Sequence, residues 1–294
     1  IMLQGGVSII SLLYGVSVHQ CHTVRRGSIM LQGGVSIISL GLIAVQECRW
    51  EEIEEGKERG GYLWFGGGAW KNSSRARTGG VLVGVHKSLE KAVMSKVHRK
   101  GRVQLVKLKG LMGRNLIFGS LYAPTESEEG DEAKRDDFWD GVHEAVNEIG
   151  CTERDIVLFG IDNNGETGEC EVSDEEENEE EKEEKEEEER IRSKVLGKWG
   201  FGKMNENGKR LIEECVANGW SIANTFFGLP KKKKWTFYGT FHGRKHREYD
   251  HIICDRLTRK RIVKIQNVRN TLLDSDHCLR IATVQLKGKE FRHP

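Results

Sequence analysis

The sequence predicts an α/β sandwich built on mixed or antiparallel β-sheets. Apolar runs bounded by Gly and Pro interleave with two amphipathic helical segments, and they do not follow the strict βαβ alternation of a parallel sheet. Glycine is abundant, at 35 of 294 residues, whereas proline occurs only 3 times, a balance that favours strands and tight turns over long helices. A hydrophobic content of 37% is enough for a substantial core.

Local patterns locate the elements along the chain. Residues 135–150 and 208–220 have helical spacing, because their apolar residues fall on one face, and Gly150 suits a helix C-cap. The predicted strands lie at residues 42–47, 79–89, 102–110, 115–124, 155–160, 221–227, 234–241, 249–254 and 278–286.

Two regions fall outside this pattern. Residues 1–12 recur without change as residues 29–40, whereas architectural repeats drift in sequence and come in several copies. We therefore treat residues 1–40 as a duplicated segment of doubtful structure. Residues 174–190 hold thirteen acidic and three basic residues, which predicts a disordered acidic insertion at about residues 170–192. The predicted folded domain spans residues 41–290.

The charge distribution favours a polyanionic partner. The formal net charge is +1, but outside residues 174–190 the chain carries +11. A solvated basic surface is an equally good explanation of that excess. The acidic run in turn suits basic proteins as partners.

Composition also predicts the compartment. The seven cysteines are odd in number and contain no CxxC pair, which indicates reduced thiols in an intracellular protein, nuclear or cytoplasmic. No apolar run reaches the roughly 20 residues that a membrane helix needs. No basic region precedes the N-terminal apolar stretch, so we expect neither a signal peptide nor a membrane partner.

Polar residues of one chemical kind follow the ends of several predicted strands. They are Glu47, Tyr122, Asp162, Asn164, Asp250, Asp276 and His277. Carboxylates and amides bind a hard cation such as Mg²⁺ through oxygen, and a His paired with an Asp is held in one tautomer. Asp250 lies between apolar residues, where an unpaired charge is costly, so His277 is its natural partner. Taken singly, each residue also has an ordinary explanation as a surface acid, a turn residue or a packed aromatic.

This ordered set resembles the endonuclease/exonuclease/phosphatase superfamily from about residue 42 to residue 286. The motifs that carry the resemblance are VQECRW, TGGVLVGV, GSLYAPT, FGIDNNGETG, GFGKMNENGKRL, IANTFF and SDH. They are most similar to the RTE-type endonucleases of non-LTR retrotransposons and to the craniofacial development protein 2 group of cellular proteins derived from such elements.

The resemblance implies a four-layer α/β sandwich, in which two packed mixed or antiparallel β-sheets are flanked by helices. It also implies a monomeric, Mg²⁺-dependent phosphodiesterase, with Mn²⁺ as an alternative, that hydrolyses the DNA backbone by in-line attack of water. Glu47 and Asp276 would ligate the metal. Asp162 would orient or deprotonate the water, and Asn164 would hold the water or the scissile phosphate.

The remaining residues are assigned to the substrate by the same resemblance. His277, braced by Asp250, and Tyr122 would contact the scissile phosphate. The strand and loop before Asp250 would contact the nucleic acid through Lys234, Trp235, Phe237 and Tyr238. A basic hairpin with a core aromatic is an equally good interpretation of that last segment.

The chain departs from the family pattern in three places, one of which is the acidic insertion that closely follows Asp162. The family begins with a strand that ends in an Asn, but the first 46 residues contain no Asn. The family's GDFN motif is here GIDNN, with Ile161 before the Asp and Asn163 after it. A second hypothesis is therefore a degenerate, non-catalytic descendant that binds nucleic acid or protein. A third is a phosphoesterase branch acting on inositol phosphates or sphingomyelin, although GKMNENGKRL and IANTFF favour the retrotransposon branch.

Overall fold

The structure is a computed structural model that describes residues 8–14, 40–52, 54–71, 75, 77–111, 114–125, 131–168, 189–238, 246–269 and 275–285. Its strands are β1 Ser8–Tyr14, β2 Leu40–Gln46, β3 Glu54–Arg59, β4 Tyr62–Gly67, β5 Trp70–Lys71, β6 Arg77–Thr78, β7 Val81–His86, β8 Val93–Arg99, β9 Val103–Leu111, β10 Arg114–Tyr122, β11 Ile156–Asp162, β12 Trp220–Ile222, β13 Phe237–Tyr238, β14 His246–Arg247, β15 Asp250–Asp255, β16 Ile262–Val268 and β17 Leu279–Val284. Its helices are α1 Asp131–Glu148, α2 Glu206–Ala217 and the one-turn α3 Lys231–Lys234 and α4 Arg256–Arg259, with 3₁₀ helices at Lys87–Ala92 and Ala223–Phe226. Residues 189–195 are also helical.

Two mixed sheets form the body of the described chain. The first has the strand order β16-β17-β1-β2-β7-β4-β3, and the second has the order β12-β15-β11-β10-β9-β8. Only the β1–β17 and β10–β11 pairs of these two sheets are parallel. The predicted fold class, an α/β sandwich on mixed sheets, is confirmed.

The core lies between the sheets because their facing residues alternate along each strand. In β2, Leu42 and Ala44 point into the inter-sheet cluster, which Phe118 and Leu158 of the second sheet complete. Ile43 of the same strand packs on the opposite face of its sheet. Every residue of β11 is buried, since both faces of the second sheet are covered.

The outer face of the second sheet is covered by helices. α1 contributes Phe138, Trp139 and Val142, and α2 contributes Leu211, to a cluster shared with Phe159 of β11. Among the described residues, the α-helices longer than one turn pack on this face, and no such helix covers the outer face of the first sheet. No described helix is both long and apolar enough to span a membrane.

The N-terminal segment contributes β1, from the first copy of the repeat. This strand lies between β2 and β17, antiparallel to the former and parallel to the latter. In chain order it precedes β2, where the resemblance places an Asn-bearing strand. Most of the second copy and most of the acidic insertion lie outside the described residues, so the domain boundaries at 1–40 and 170–192 stay predictions.

Two predicted strands take a different form. Residues 221–227 begin as β12 but continue as the 3₁₀ helix Ala223–Phe226, because the Thr225 hydroxyl donates to the carbonyl of Ile222 at 2.7 Å and closes a turn. In residues 234–241, Lys234 ends α3, and Phe237 and Tyr238 form the short strand β13. Residues 239–241 lie outside the described residues.

A buried ion pair ties β9 to the loop before β11. The Asp155 carboxylate accepts hydrogen bonds from Lys107 Nζ at 2.9 Å, the Thr152 amide at 2.9 Å and the Thr152 hydroxyl at 3.0 Å. Burial favours the neutral acid, but these donors outweigh it, so the pKa of Asp155 lies below its ordinary value of 3.8.

We expect Asp155→Asn to destabilise the fold by about 2 kcal/mol at neutral pH. A carboxyl with a lowered folded pKa stabilises the protein above its unfolded pKa, and that contribution disappears as the pH falls through the folded pKa. Thermal melts between about pH 3 and pH 7 should therefore show the difference between wild type and variant shrink toward the acid end. The exposed neighbour change Glu153→Gln should have no such effect, and a difference independent of pH would contradict the assignment.

Candidate active site

The topology gathers the predicted polar residues at one edge of the sandwich. Tyr122 ends β10 and is the strand partner of Asp162, which ends β11. Asp162 is in turn the partner of Asp250, which begins the antiparallel strand β15. Glu47 follows β2, and His277 precedes β17. Strand ends from both sheets thus meet at this edge.

Three side chains at this edge form a connected acid–base set. His277 Nδ1 lies 2.9 Å from Asp250 Oδ2, a hydrogen-bond distance that fixes the ring orientation. His277 Nε2 lies 4.0 Å from Asp162 Oδ2, which is too long for a direct hydrogen bond. The ligand atoms of Asp162, Asp250 and His277 all lie within 4.8 Å of one another.

The electrostatics of the set follow from burial and charge. Burial raises the pKa of Asp162 to about 7, against the opposing effect of His277. Burial alone would lower the pKa of His277, but the carboxylates of Asp250 and Asp162 outweigh it and raise the pKa to about 10. At neutral pH the imidazole therefore carries a proton, and Asp162 is poised to accept one.

Two more carboxylates flank this set. Glu47 has a left-handed backbone, with φ of 52°, and its Oε1 lies 3.3 Å from Arg49. Burial raises the pKa of Glu47, and the charges of His277 and Asp276 also reach it. Asp276 Oδ1 is buried and has no hydrogen-bond partner among the described residues. An orphaned buried carboxylate oxygen beside a second carboxylate fits a hard divalent cation such as Mg²⁺.

Gln46 holds Glu47 in place by bridging the two sheets. Its amide donates to the Ser120 hydroxyl at 2.9 Å and to the carbonyl of Gly160 at 3.1 Å, both in the second sheet. The Ser120 hydroxyl returns a hydrogen bond to the carbonyl of Val45 at 2.8 Å. Gln46 is not among the residues predicted from the sequence. The one local sign of its role is its position directly before Glu47.

Asn164 links Asp162 to Tyr122. Its backbone amide donates to Asp162 Oδ1 at 3.0 Å. Its side-chain amide donates to the carbonyl of Ala123 at 2.9 Å, and its side chain also hydrogen-bonds the Tyr122 hydroxyl. Its φ of 47° is left-handed, a conformation that Asn tolerates better than most residues. Burial raises the pKa of Tyr122, with a further increase from Asp162, so its hydroxyl stays protonated.

The two departures from GDFN have local explanations. The Ile161 side chain is fully buried in the cluster under α1, on the face away from the inter-sheet core. The Asn163 side chain donates to the carbonyl of Asn207 at 3.0 Å. Neither residue displaces Asp162, whose pairing with Asp250 remains in register.

The start of α2 supports the loop at residues 162–168, which we call the catalytic loop. Asn205 caps the helix and accepts from the amides of both Gly208 and Glu166 at 3.0 Å. Asn207 donates to the carbonyls of Pro124 at 2.9 Å and Asn163 at 3.1 Å. A Cβ on Gly208 would lie 1.8 Å from the Glu166 carbonyl, so only glycine fits. The NENG sequence entered the resemblance as a motif, but its support of this loop became visible only in the structure.

A second supporting group that sequence reasoning missed is Arg280. Its fully buried guanidinium donates to Glu248 Oε1 at 2.6 Å, to the carbonyl of Lys234 at 3.0 Å and to Asn267 Oδ1 at 2.9 Å. It also donates to the carbonyl of Asp250. Arg280 therefore fixes the strand start that carries Asp250. The sequence offers one sign of this role, because Arg280 lies in an apolar strand three residues after His277 and a buried charge there requires partners.

Of the four residues predicted to contact nucleic acid, two are buried and two are half buried. Lys234 is buried, and its Nζ donates to the carbonyl of Gly200 at 3.1 Å. Trp235 is also buried, with His246 stacked at 3.8 Å between ring centroids and the Arg269 guanidinium 3.2 Å from its ring centre. Because these partners occupy both side chains, the alternative interpretation as a basic hairpin with a core aromatic describes Lys234 and Trp235.

Phe237 and Tyr238 are only half buried. The Phe237 ring packs against His277, with ring centroids 5.0 Å apart, and against Tyr249 at 5.2 Å. The Tyr238 amide donates to the carbonyl of Asp276 at 2.8 Å. The hairpin thus forms one wall of the site.

The two packed mixed sheets have the endonuclease/exonuclease/phosphatase fold that the resemblance implies, as comparison with solved structures shows. An AP endonuclease from Archaeoglobus fulgidus matches with a TM-score of 0.53 and 13% identity, covering 83% of this chain and 88% of that one. The AP endonuclease LMAP from Leishmania major matches with a TM-score of 0.54 and 10% identity over 81% and 76%. The 3'-5' exonuclease NExo from Neisseria meningitidis matches with a TM-score of 0.52 and 12% identity over 84% and 90%.

In sequence, the chain is similar to craniofacial development protein 2. The Bos taurus protein is 27% identical over 251 residues, which cover 85% of this chain and 37% of the relative. The Tragulus javanicus protein is 26% identical over 251 residues, with 85% and 38% covered. The chain therefore spans well under half the length of these relatives. No protein-family model matches it.

Proposed function

We propose that this chain is a divalent-metal-dependent DNA phosphodiesterase, an endonuclease resembling those of RTE-type retrotransposons and AP endonucleases. The observation that carries the proposal is the buried set in which His277 bonds Asp250 on one side and faces Asp162 across 4.0 Å on the other. Hydrolysis of a phosphodiester needs an acceptor for the proton of water and a cation beside the phosphate, and this set supplies both.

Each residue has a role that its surroundings support. Asp162 orients the attacking water and accepts its proton, because burial has raised the carboxyl pKa toward neutrality. His277, kept cationic by Asp250, donates from Nε2 to a phosphate oxygen. Tyr122 donates its hydroxyl to the same phosphate, and Asn164 positions the phosphate or the water through its side-chain amide.

Glu47 and Asp276 are the proposed metal ligands. Bound there, Mg²⁺, or Mn²⁺ in its place, would neutralise charge on the phosphate and on the leaving oxygen. The unpartnered Asp276 Oδ1 and the left-handed turn that presents Glu47 support this assignment. The charge of Asp276 raises the pKa of Glu47, and a cation bound between the two carboxylates would relieve that repulsion.

DNA is the proposed substrate. Outside the acidic run the chain carries a net charge of +11, which suits a polyanion. The exposed lysines Lys231–Lys233 lie in α3, whose last residue, Lys234, is joined through Arg280 to Asp250. A basic surface thus adjoins the edge where the phosphodiester would be cut.

The proposal is tested by nicking of supercoiled plasmid. We expect nicking in Mg²⁺ and none in EDTA. Glu47→Gln should raise the Mg²⁺ concentration for half-maximal rate by about tenfold or more, as loss of a positioned ligand does. Glu51→Gln is the matched control, because Glu51 is an exposed acid nearby that pairs with Arg77.

The outcomes separate the hypotheses. Nicking that persists in EDTA, or an equal shift in both glutamate variants, would remove the metal assignment. Salt-dependent DNA binding without any nicking would favour the non-catalytic descendant. Turnover of an inositol phosphate or a sphingolipid in preference to DNA would favour the third hypothesis.

A further inference from the structure

A tryptophan outside the predicted set stands exposed beside the catalytic loop. Trp199 is 41% exposed, and it belongs to the segment of residues 197–204, which we call the Trp199 loop. Lys198 Nζ lies 5.3 Å from the centre of its ring, and Lys234 Nζ lies 5.5 Å from it. Lys234 is buried, whereas Lys198 is exposed beside the ring. A partly exposed aromatic ring next to an exposed lysine is a common component of nucleic-acid surfaces.

The Trp199 loop holds this ring rigidly. The Gly197 amide donates to the Thr225 hydroxyl at 2.7 Å, and the Trp199 amide donates to the Thr225 carbonyl at 2.9 Å. A Cβ on Gly197 would lie 2.4 Å from that carbonyl, so the close approach requires glycine. A Cβ added at Gly228 would lie 3.1 Å from the indole, so glycine at this position leaves room for the ring. The exposed ring is therefore presented by a fixed backbone.

The Trp199 loop also packs directly against the catalytic loop. A Cβ on Gly202 would overlap the Glu166 carboxylate, and a Cβ on Gly168 would lie 3.0 Å from Met204. The carbonyl of Gly200 accepts from Lys234 Nζ at 3.1 Å. These contacts place Trp199 on the protein surface next to the edge where Asp162 lies.

The charges around the ring suit one class of partner. Lys198 and Lys203 belong to the Trp199 loop, and Lys231–Lys233 precede Lys234, whose Nζ lies near the ring; all five lysines are exposed. Lysines near an aromatic ring match the alternation of phosphates and bases along a nucleic-acid strand. A protein partner with an apolar patch would gain little from these ammonium groups, for which the described residues supply no ion-pair partner.

We propose that Trp199 is a stacking platform for an unpaired or unstacked base of the DNA strand that enters the site, with Lys198 holding a neighbouring phosphate. This inference rests on the proposed function for the identity of the substrate. It assigns to the Trp199 loop a role in engaging single-stranded or locally melted DNA, and it explains why the loop presents an aromatic ring to solvent.

Binding is measured in EDTA by fluorescence anisotropy of a short labelled single-stranded DNA, so that cleavage plays no part. We expect Trp199→Ala to weaken binding by about tenfold and Trp199→Phe to weaken it less, since a phenyl ring still stacks. The slope of log affinity against log salt concentration should be unchanged in Trp199→Ala. In Lys198→Gln the slope should correspond to the release of about one counterion fewer. The matched control is Leu257→Ala, which removes another exposed apolar side chain, 49% exposed, in α4.

A base-free strand of the same sugar-phosphate backbone completes the test. If stacking is the interaction, Trp199→Ala binds this strand as wild type does. An equal loss on both strands, or unaltered binding of the base-bearing strand, would overturn the proposal. Because the assay needs no catalysis, base-dependent binding through Trp199 in a protein that never nicks plasmid would overturn the proposed function and leave this inference standing.

Discussion

Asp162→Asn is expected to lower the rate of DNA cleavage by about a thousandfold, because it removes the acceptor for the proton of water. The change keeps the shape of the side chain, and an Asn oxygen can still accept the hydrogen bond from the Asn164 amide. DNA binding measured in EDTA should change little, since the Asp162 side chain is buried and offers almost no surface to a ligand. Single-turnover cleavage of a labelled duplex measures the effect.

The same substitution should leave the fold as stable as wild type or more stable. Burial raises the pKa of Asp162, which means that the folded state disfavours its ionised form. The neutral amide avoids that cost, which grows as the pH rises above the ordinary value of 3.8 and is complete above the folded pKa of about 7. Urea unfolding at neutral pH checks this expectation. Asp140→Asn, at an exposed aspartate of α1, is the matched control, and a cleavage rate of Asp162→Asn within about tenfold of wild type would rule out Asp162 as the proton acceptor.

Arg280→Met is expected to lower the free energy of unfolding by about 3–5 kcal/mol. The change leaves the Glu248 carboxylate buried without its cation and removes donors from the carbonyls of Lys234 and Asp250. An uncompensated buried charge costs more than the lost packing of a surface arginine. Urea unfolding measures the difference from wild type.

A control and a double variant test the mechanism of that loss. Arg259→Met removes an arginine that packs on Phe226, in α4 at the far end of β15 from the site, and should cost little. Arg280→Met combined with Glu248→Gln should recover part of the stability, because the orphaned charge is gone. Equal losses in Arg280→Met and Arg259→Met would show that the buried pair has no special role.

Residues with a local sequence pattern were predicted correctly, whereas residues that act through distant contacts were not. Residues whose pattern is local were predictable: Asp162 follows a continuous apolar strand, and the face of α2 repeats with helical spacing. The pairing of Asp250 with His277 was predictable as well, because a carboxylate in an apolar run requires a partner.

Residues that act through distant contacts were not predictable. Lys234 and Trp235 have the composition of a nucleic-acid surface, yet they are buried because His246, Arg269 and Gly200 come to them from other parts of the chain. Trp199 has no distinguishing sequence pattern, although it is the tryptophan that the packing of the described chain leaves exposed. Neither fact has a local signature, since burial depends on what the fold brings alongside.

The sequence by itself determined the chemical identity of the site and the class of fold. Strand patterns end in carboxylates, an amide, a tyrosine and a histidine, and these side chains have few uses together other than binding a cation and moving a proton. Only the tertiary structure decided how they are held. Gln46, Asn207 and Arg280 span 74, 83 and 46 residues of chain to reach Ser120, Pro124 and Lys234. Contacts over such separations form only when the two sheets pack, so the spacing of residues along the chain carries no trace of them.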